Sequence, residues 1–310
     1  MNNRHAYCII AHQDPLMLHV LVAMLDHPLN DIYIHIDKRT DIRPFLGIQA
    51  NWSQVTFLPK RIRVEWGSTK QIETELLIFE YAQNHGTYSY YHMMSGLDLP
   101  LQSQNHIHDF FDNQRNGVEF VNVNKEDDDY LKDLEYKTCY YHYFVRSLSD
   151  SNRSLSHYWH YYLHALCVKF QMSLGIRRGY PFELKKGSNW VSITDRFVSY
   201  LLCHKEEISR TFRNTLCGDE IFLQSFLWNS PFRKNLFPKE GNFSGGNMRE
   251  IKWINHKPHV WVEDEYDYLI SSGQLFARKF TSQDRVLLLK LSQHNDCYET
   301  VKRVLEGHKR

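Results

Sequence analysis

Cysteine is sparse and scattered in this 310-residue chain: six residues, Cys8, Cys139, Cys167, Cys203, Cys217 and Cys297, with no CxxC pair. That spacing offers neither a zinc ribbon nor a disulfide framework, and it predicts buried free thiols in a reducing compartment. Neither sign of charge is in excess, because 37 Lys and Arg meet 36 Asp and Glu. Such a balance excludes a general polyanion binder and predicts no nucleic-acid partner. Long hydrophobic runs are missing, so no spanning helix is expected. The apolar stretch before His12 is too short for a signal-peptide core. GxGxxG after the first strand, GxxxxGK[ST], HExxH and GxSxG are also absent. Their absence disfavours the usual dinucleotide fold, P-loop enzymes, zincins and hydrolases with a nucleophile elbow. With no internal repeat and no Pro/Gly-rich linker, residues 1–310 read as one domain. We expect a nucleotide-binding half over about 1–123 and an acceptor half over about 124–310.

Aromatic residues are abundant, with 19 Tyr, 18 Phe and 7 Trp beside 18 His. Disorder over most of the length is excluded. Residues 5–11 are short and apolar and predict a strand. Pro15 opens a helix through Leu25, since proline at a first helical turn loses no bond. In 31–37 Ile32, Ile34 and Ile36 alternate with Tyr33 and His35, which is strand periodicity. Further strands are predicted at 55–58, 62–64, 88–94, 118–123, 189–193 and 258–262. Ser68 with Gln71 reads as a capping box opening a helix whose buried stripe is Ile72, Leu76 and Phe79. Helices are also predicted over 106–111, 158–172, from Thr194 to Leu202, over IFLQSFLWNS, and at 264–272, 283–291 and 296–305. Strand–helix alternation over the first 120 residues gives the α/β class, with a mostly parallel sheet flanked by helices.

In an open parallel sheet the ligand crevice lies outside the carboxyl ends of the strands. His12 and Asp37 follow the first two strands. Trp66 and Ser68 precede a helix whose free amides suit an anion. Gly96 and Asp98 sit in the turn SGLDLP. Glu220 and its neighbour Asp219 stand at a helix start, where a carboxylate either steadies the helix or serves as a general base. Arg249, Arg278 and Lys279 could together neutralise a departing diphosphate. The run Asp127–Asp129 reads as a solvated loop and helix start rather than a metal site. From Gln274 onward eight Lys or Arg face four acids, a basic tail that reads as a solvated helix pair.

Eight segments, in order, resemble one family: HAYCIIAHQDP (5–15), DIYIHIDKR (31–39), VEWGSTKQIETELLIFEYA (64–82), YYHMMSGLDLPLQS (90–103), GSNWVSITDRFVSYL (187–201), GDEIFLQSFLWNS (218–230), MREIKW (248–253) and SSGQLFARKF (271–280). Together they are similar to the core-2/I-branching β-1,6-N-acetylglucosaminyltransferases, glycosyltransferase family 14, in their bacterial form. The resemblance implies a GT-A-like fold and an inverting, metal-independent transfer of a sugar, GlcNAc first, from a UDP-sugar to a glycan hydroxyl. UDP-xylose, UDP-glucose and UDP-glucuronate are the alternative donors, and a non-catalytic sugar-nucleotide binder is the alternative role. It further implies that Glu220 is the catalytic base and Lys279 the diphosphate lysine, with Arg249 a second phosphate contact. His12, Asp37, Trp66, Ser68, Gly96 and Asp98 fall in nucleotide- and donor-holding segments, and Trp190 near a sugar. The acid of the family's RxIDW segment is replaced by Lys252, and residues 124–186 do not match. No cofactor or divalent metal is expected. The expected partners are a nucleotide-sugar and a glycan or lipid-linked glycan acceptor of surface polysaccharide synthesis. The expected location is cytoplasmic; a lipid-linked acceptor would bring the basic tail to the inner face of the membrane.

Overall fold

The computed structural model describes residues 3–114, 117–145, 155–238, 245–255 and 257–307. Strand β1 (His5–Ala11) is the centre of the main sheet. It pairs in parallel with β2 (Asn30–Ile36) on one side and β4 (Tyr90–Ser95) on the other. β3 (Gln54–Phe57) extends β2 in parallel, and β6 (Ser192–Thr194) closes the far edge antiparallel to β4. The α/β class with a mostly parallel sheet is therefore as the sequence pattern predicts.

Side chains along β1 and β2 alternate between two cores, as strand geometry requires. Tyr7, Ile9, Ala11, Ile32, Ile34 and Ile36 enter one, shared with α1 (Pro15–Leu25), α10 (Arg285–His294) and α11 (Tyr298–Gly307). Ala6, Cys8 and Tyr33 enter the other, beneath α2 (Lys70–His85), α6 (Asp195–Cys203) and α8 (Phe222–Trp228). Each fully buried aliphatic side chain contributes about 1.5–3 kcal/mol, so the two layers hold the strand ends rigidly.

Local signals explain the element starts. The Asp14 carboxylate accepts from Met17 N–H and Pro15 fills the first turn of α1. The Thr194 hydroxyl accepts from Phe197 N–H at the start of α6. The Ser68–Gln71 capping box is displaced. The helix begins at Lys70, the Ser68 hydroxyl accepts from Lys70 N–H, and Gln71 Oε1 accepts from Gly67 N–H.

Other expectations fail. Residues 62–64 form no strand; side chains hold them instead, Ile62 N–H donating to His35 Nε2 and Val64 N–H to Asp37. The 118–123 stretch makes only single bridges, Glu119 with Leu236 and Phe120 with Ser192. The 258–262 strand shrinks to β9 (Lys257–Pro258), paired with β8 (Trp253–Ile254). A small second sheet was not foreseen: β10 (Phe276–Arg278) lies between β5 (Asp98–Pro100) and β7 (Arg249–Ile251). Three-residue strands carry too little alternation to be read. Only Cys8 and Cys217 of the six free thiols are buried, and Cys203 is exposed. No helix among the described residues is long and apolar enough to cross a membrane.

Candidate active site

Because β1, β2 and β4 run parallel, their carboxyl ends share one edge of the sheet. His12, Asp37 and the Ser95–Asp98 turn all leave from that edge. β6 runs the other way, so the residues before it, including Trp190, reach the same edge; Met93 N–H donates to Val191 O there. Gly96 is required by this crowding. A Cβ on it would stand 2.7 Å from the Ala11 Cβ.

The chain near residue 280 is laid across this edge. Arg278 donates to Asp98 Oδ1 at 2.9 Å, and also to the Ser95 hydroxyl. Its guanidinium carbon lies 4.4 Å from the Trp190 ring centre. Phe280 N–H donates to Leu97 O and Ser282 N–H to the Asp14 carboxylate. Lys279 is fixed through its backbone, its N–H to His259 O and its carbonyl to Trp261 N–H. Its ammonium has no hydrogen bond or ion pair among the described residues. Burial, then the Arg278 charge, lowers its pKa from the usual lysine value. Burial likewise lowers the pKa of His12, with Lys279, Arg39 and Arg278 adding to it against the pull of Asp37. These four charges therefore share one electrostatic neighbourhood with His12.

Several candidates turn out to be braces. Asp37 is buried and its oxygens accept from Arg39 N–H, the Arg39 guanidinium and Val64 N–H. Burial would raise its pKa, but the Arg39 bonds outweigh that and lower it. A carboxylate with its lone pairs so occupied has little left for a ribose. Asp98 is similarly consumed by Ser95 and Arg278. The Ser68 hydroxyl donates to Glu65 O and accepts from Lys70 N–H. Trp66 is half-exposed. Arg249 needs correction as a phosphate contact. It is 7% exposed, and its guanidinium donates to Val191 O, Asn247 O and the Ser192 hydroxyl. Burial lowers its pKa to about 9. It ties β7 to β6 inside the protein.

Glu220 ends a 3-10 turn, Gly218–Glu220, that meets the start of α2: Cys217 N–H donates to Gly67 O. Gly187 N–H donates to Glu220 O, so segment 187–190 connects the Glu220 turn to the Trp190–Arg278 stack. Lys137 of α4 (Asp128–Cys139) places Nζ 3.1 Å from Glu220 Oε2 and 3.0 Å from Asp133. Burial pushes Lys137 down, yet Glu220 and Asp133 outweigh it and its pKa is raised. Behind Glu220 lie two buried carboxyls. Asp219 accepts from Gln71 Nε2 at 2.8 Å and Glu75 from Asn189 Nδ2 at 3.1 Å. Asp219 Oδ1 and Glu75 Oε2 have no hydrogen-bond partner among the described residues. Burial first, then neighbouring carboxylates, raises both pKa values.

A sequence model of the family described as Core-2/I-Branching enzyme matches residues 5–271. The chain belongs to that family. The family's members are glycosyltransferases, and its match spans the Glu220 turn and every element of this sheet edge except β10. Two fly proteins, both named Xylosyltransferase oxt, are similar over most of this chain. The one from Drosophila pseudoobscura pseudoobscura is 21% identical over 303 residues, covering 89% of this chain and 31% of its own length. The one from Drosophila melanogaster is 20% identical with the same coverage. This chain thus spans about a third of those relatives. The apo crystal structure of mouse xyloside xylosyltransferase 1 aligns with a TM-score of 0.38 and 8% identity, over 88% of this chain and 96% of that one.

Sequence reasoning missed Lys137 and Glu75. Glu75 was legible: it falls three residues after Ile72 and four before Phe79, on the buried stripe of α2, where an acid needs a reason. Lys137 carries no such signal, because tertiary contact alone brings it to Glu220. The Asp127–Asp129 run opens a helix, as its sequence predicts. Asp127 caps α4, accepting from Tyr130 N–H, and the other two acids fill the first turn.

Proposed function

We propose that the chain is an inverting, metal-independent glycosyltransferase that moves a sugar from a UDP-sugar to a glycan hydroxyl. One observation carries this reading: Lys279 is a partly desolvated cation held by its backbone beside His12, with no hydrogen bond or ion pair from its ammonium among the described residues. A cation fixed before reaction stabilises charge that develops later and needs no reorganisation. In the proposed step Glu220 takes the acceptor proton, the acceptor oxygen bonds to C1, and the C1–O bond to phosphate breaks. The electron pair leaves on the β-phosphate, where Lys279 meets it. Lys137 holds the Glu220 carboxylate in place until then. The GT-A-like resemblance, a cytoplasmic site and a role in surface polysaccharide synthesis are consistent with this chemistry.

GlcNAc is the first donor candidate, from the family resemblance. Xylose is the second, favoured by the names of the two fly relatives. A panel of UDP-GlcNAc, UDP-xylose, UDP-glucose and UDP-glucuronate, screened in EDTA for hydrolysis and transfer, tests both. Turnover of one donor in EDTA is the expected result. Activity that needs added divalent cation would overturn the lysine mechanism and return attention to Asp127–Asp129.

A further inference from the structure

Helix α5 (Leu155–Ser173) is thinly attached. Among its described side chains only His164, Val168 and Gln171, one narrow stripe, are buried. Gln171 exchanges bonds with the backbone of Tyr141, and His164 Nδ1 meets Tyr143 O. Large apolar groups of the helix face outward, Trp159 at 62% and Phe170 at 63% exposure with Tyr161, Tyr162 and Leu166, and Leu174 just past its end does the same. Exposed apolar surface of this extent marks an interaction site. From residue 155 to 182 the sequence has no acid, while Lys169, Arg177 and Arg178 supply positive charge.

Beside this face opens a cavity of about 390 Å³ lined by Arg177, Arg178, Arg210, Arg213, Tyr141 and Tyr180, and by no acid. Arg178 forms its floor, bonded to Thr215 Oγ1 and Thr211 O and lying 4.8 Å from the Tyr141 ring centre. Arg177 pairs with Glu135. Arg210 and Arg213 are exposed and have no ion pair or hydrogen bond from their guanidinium groups among the described residues. Glu206 and Glu207 lie nearby in sequence, on α7 (Lys205–Thr211), but neither lines the cavity.

We propose that this face docks on an anionic phospholipid surface, with the α5 aromatics at the interface and a lipid phosphate in the arginine cavity. Trp and Tyr prefer the headgroup level because one end of each ring is apolar and the other wet. Arginine forks match phosphate oxygens. A second copy of the chain suits the face less well. A two-fold contact sets each patch against itself, and here cations would meet cations with no acid between 155 and 182 to relieve them. The proposal requires nothing of the transfer chemistry.

The test is sedimentation of the full chain with vesicles of phosphatidylcholine alone and of phosphatidylcholine with equal phosphatidylglycerol. We expect pelleting with the mixed vesicles only, weakened by salt. Arg210→Glu with Arg213→Glu should weaken partitioning at least about tenfold, since each surface cation contributes appreciably to binding anionic lipid. Trp159→Ser with Phe170→Ser should weaken it as well. Unchanged melting and UDP affinity of both variants would show that folding and the donor edge are intact. Equal binding to neutral vesicles, or indifference to both variants, would overturn the proposal. So would a soluble dimer that the Trp159/Phe170 variant dissociates.

Discussion

The donor edge and the α4–α5 region treat their charges in opposite ways. At the donor edge Asp37, Asp98, Arg278 and Arg249 are bonded to other side chains or to backbone, whereas the Lys279 ammonium has no such bond among the described residues. Around α5 the aromatics stay outside and Arg210 and Arg213 remain unspent. Charges that a fold consumes give it geometry, whereas charges it leaves over are available to a ligand. Glu220 stands between the two regions, joined to the donor edge by segment 187–190 and to α4 by Lys137.

Glu220→Gln should break that junction with the largest effect. General-base catalysis contributes roughly 10²–10⁴ in rate, so transfer should fall by that order while UDP still binds. A transfer assay beside a binding isotherm reads both. Full transfer by the variant would remove Glu220 from the chemistry. Lys279→Ala comes next, with turnover at least about tenfold lower, the equivalent of ~1.4 kcal/mol of transition-state contact. Added magnesium should not restore it. An enzyme indifferent to the change would mean that the leftover cation of the donor edge is idle.

Acid should sharpen the contrast in stability. Burial holds His35, His108 and His142 down at about 4, and holds His5 and His92 well below the ordinary imidazole value. Below the ordinary imidazole value the unfolded chain takes up protons that these folded groups refuse. Their stabilisation is complete above about pH 6.5 and is lost as pH falls toward 4. Glu75, Glu119 and Asp219 oppose this, because burial raises them and they gain protons in the folded state. Five imidazoles outweigh three carboxyls, so the melting temperature should drop from pH 7 to 4.5, by scanning calorimetry. A flat profile would show that the imidazoles are not held neutral.

Asp219→Asn should have the smallest effect. A carboxyl raised by burial destabilises the fold as pH rises past its unfolded value, so the amide should match wild type in acid and exceed it slightly at pH 8. Chemical denaturation at the two pH values measures the difference. A large loss at pH 8 would mean that Asp219 works as an anion.

Much of the donor edge was legible because its signals are local. The Ile32, Ile34 and Ile36 alternation, Pro15 after Asp14, and the Thr194 cap each act within a few residues, and each element formed where expected. The small sheet was not legible, since β5, β7 and β10 gain their identity only from one another. Arg249 shows the limit for sites. Its residue type suggested phosphate, but burial depends on Val191, Ser192 and Asn247, far away in sequence. Lys279 was found by resemblance, and its lack of a partner emerged only from the structure.

The pairing of β10 has an outcome for the order in which the protein is made. β1, β2, β4 and the Ser95–Asp98 turn lie within residues 5–98, yet the strand that delivers Lys279 ends 180 residues after Asp98. A nascent chain halted before residue 276 would own the floor of the crevice without its cation, and Asp98 would wait with no guanidinium to hold. Assembly of the donor edge is thereby coupled to synthesis of a segment far downstream of its floor.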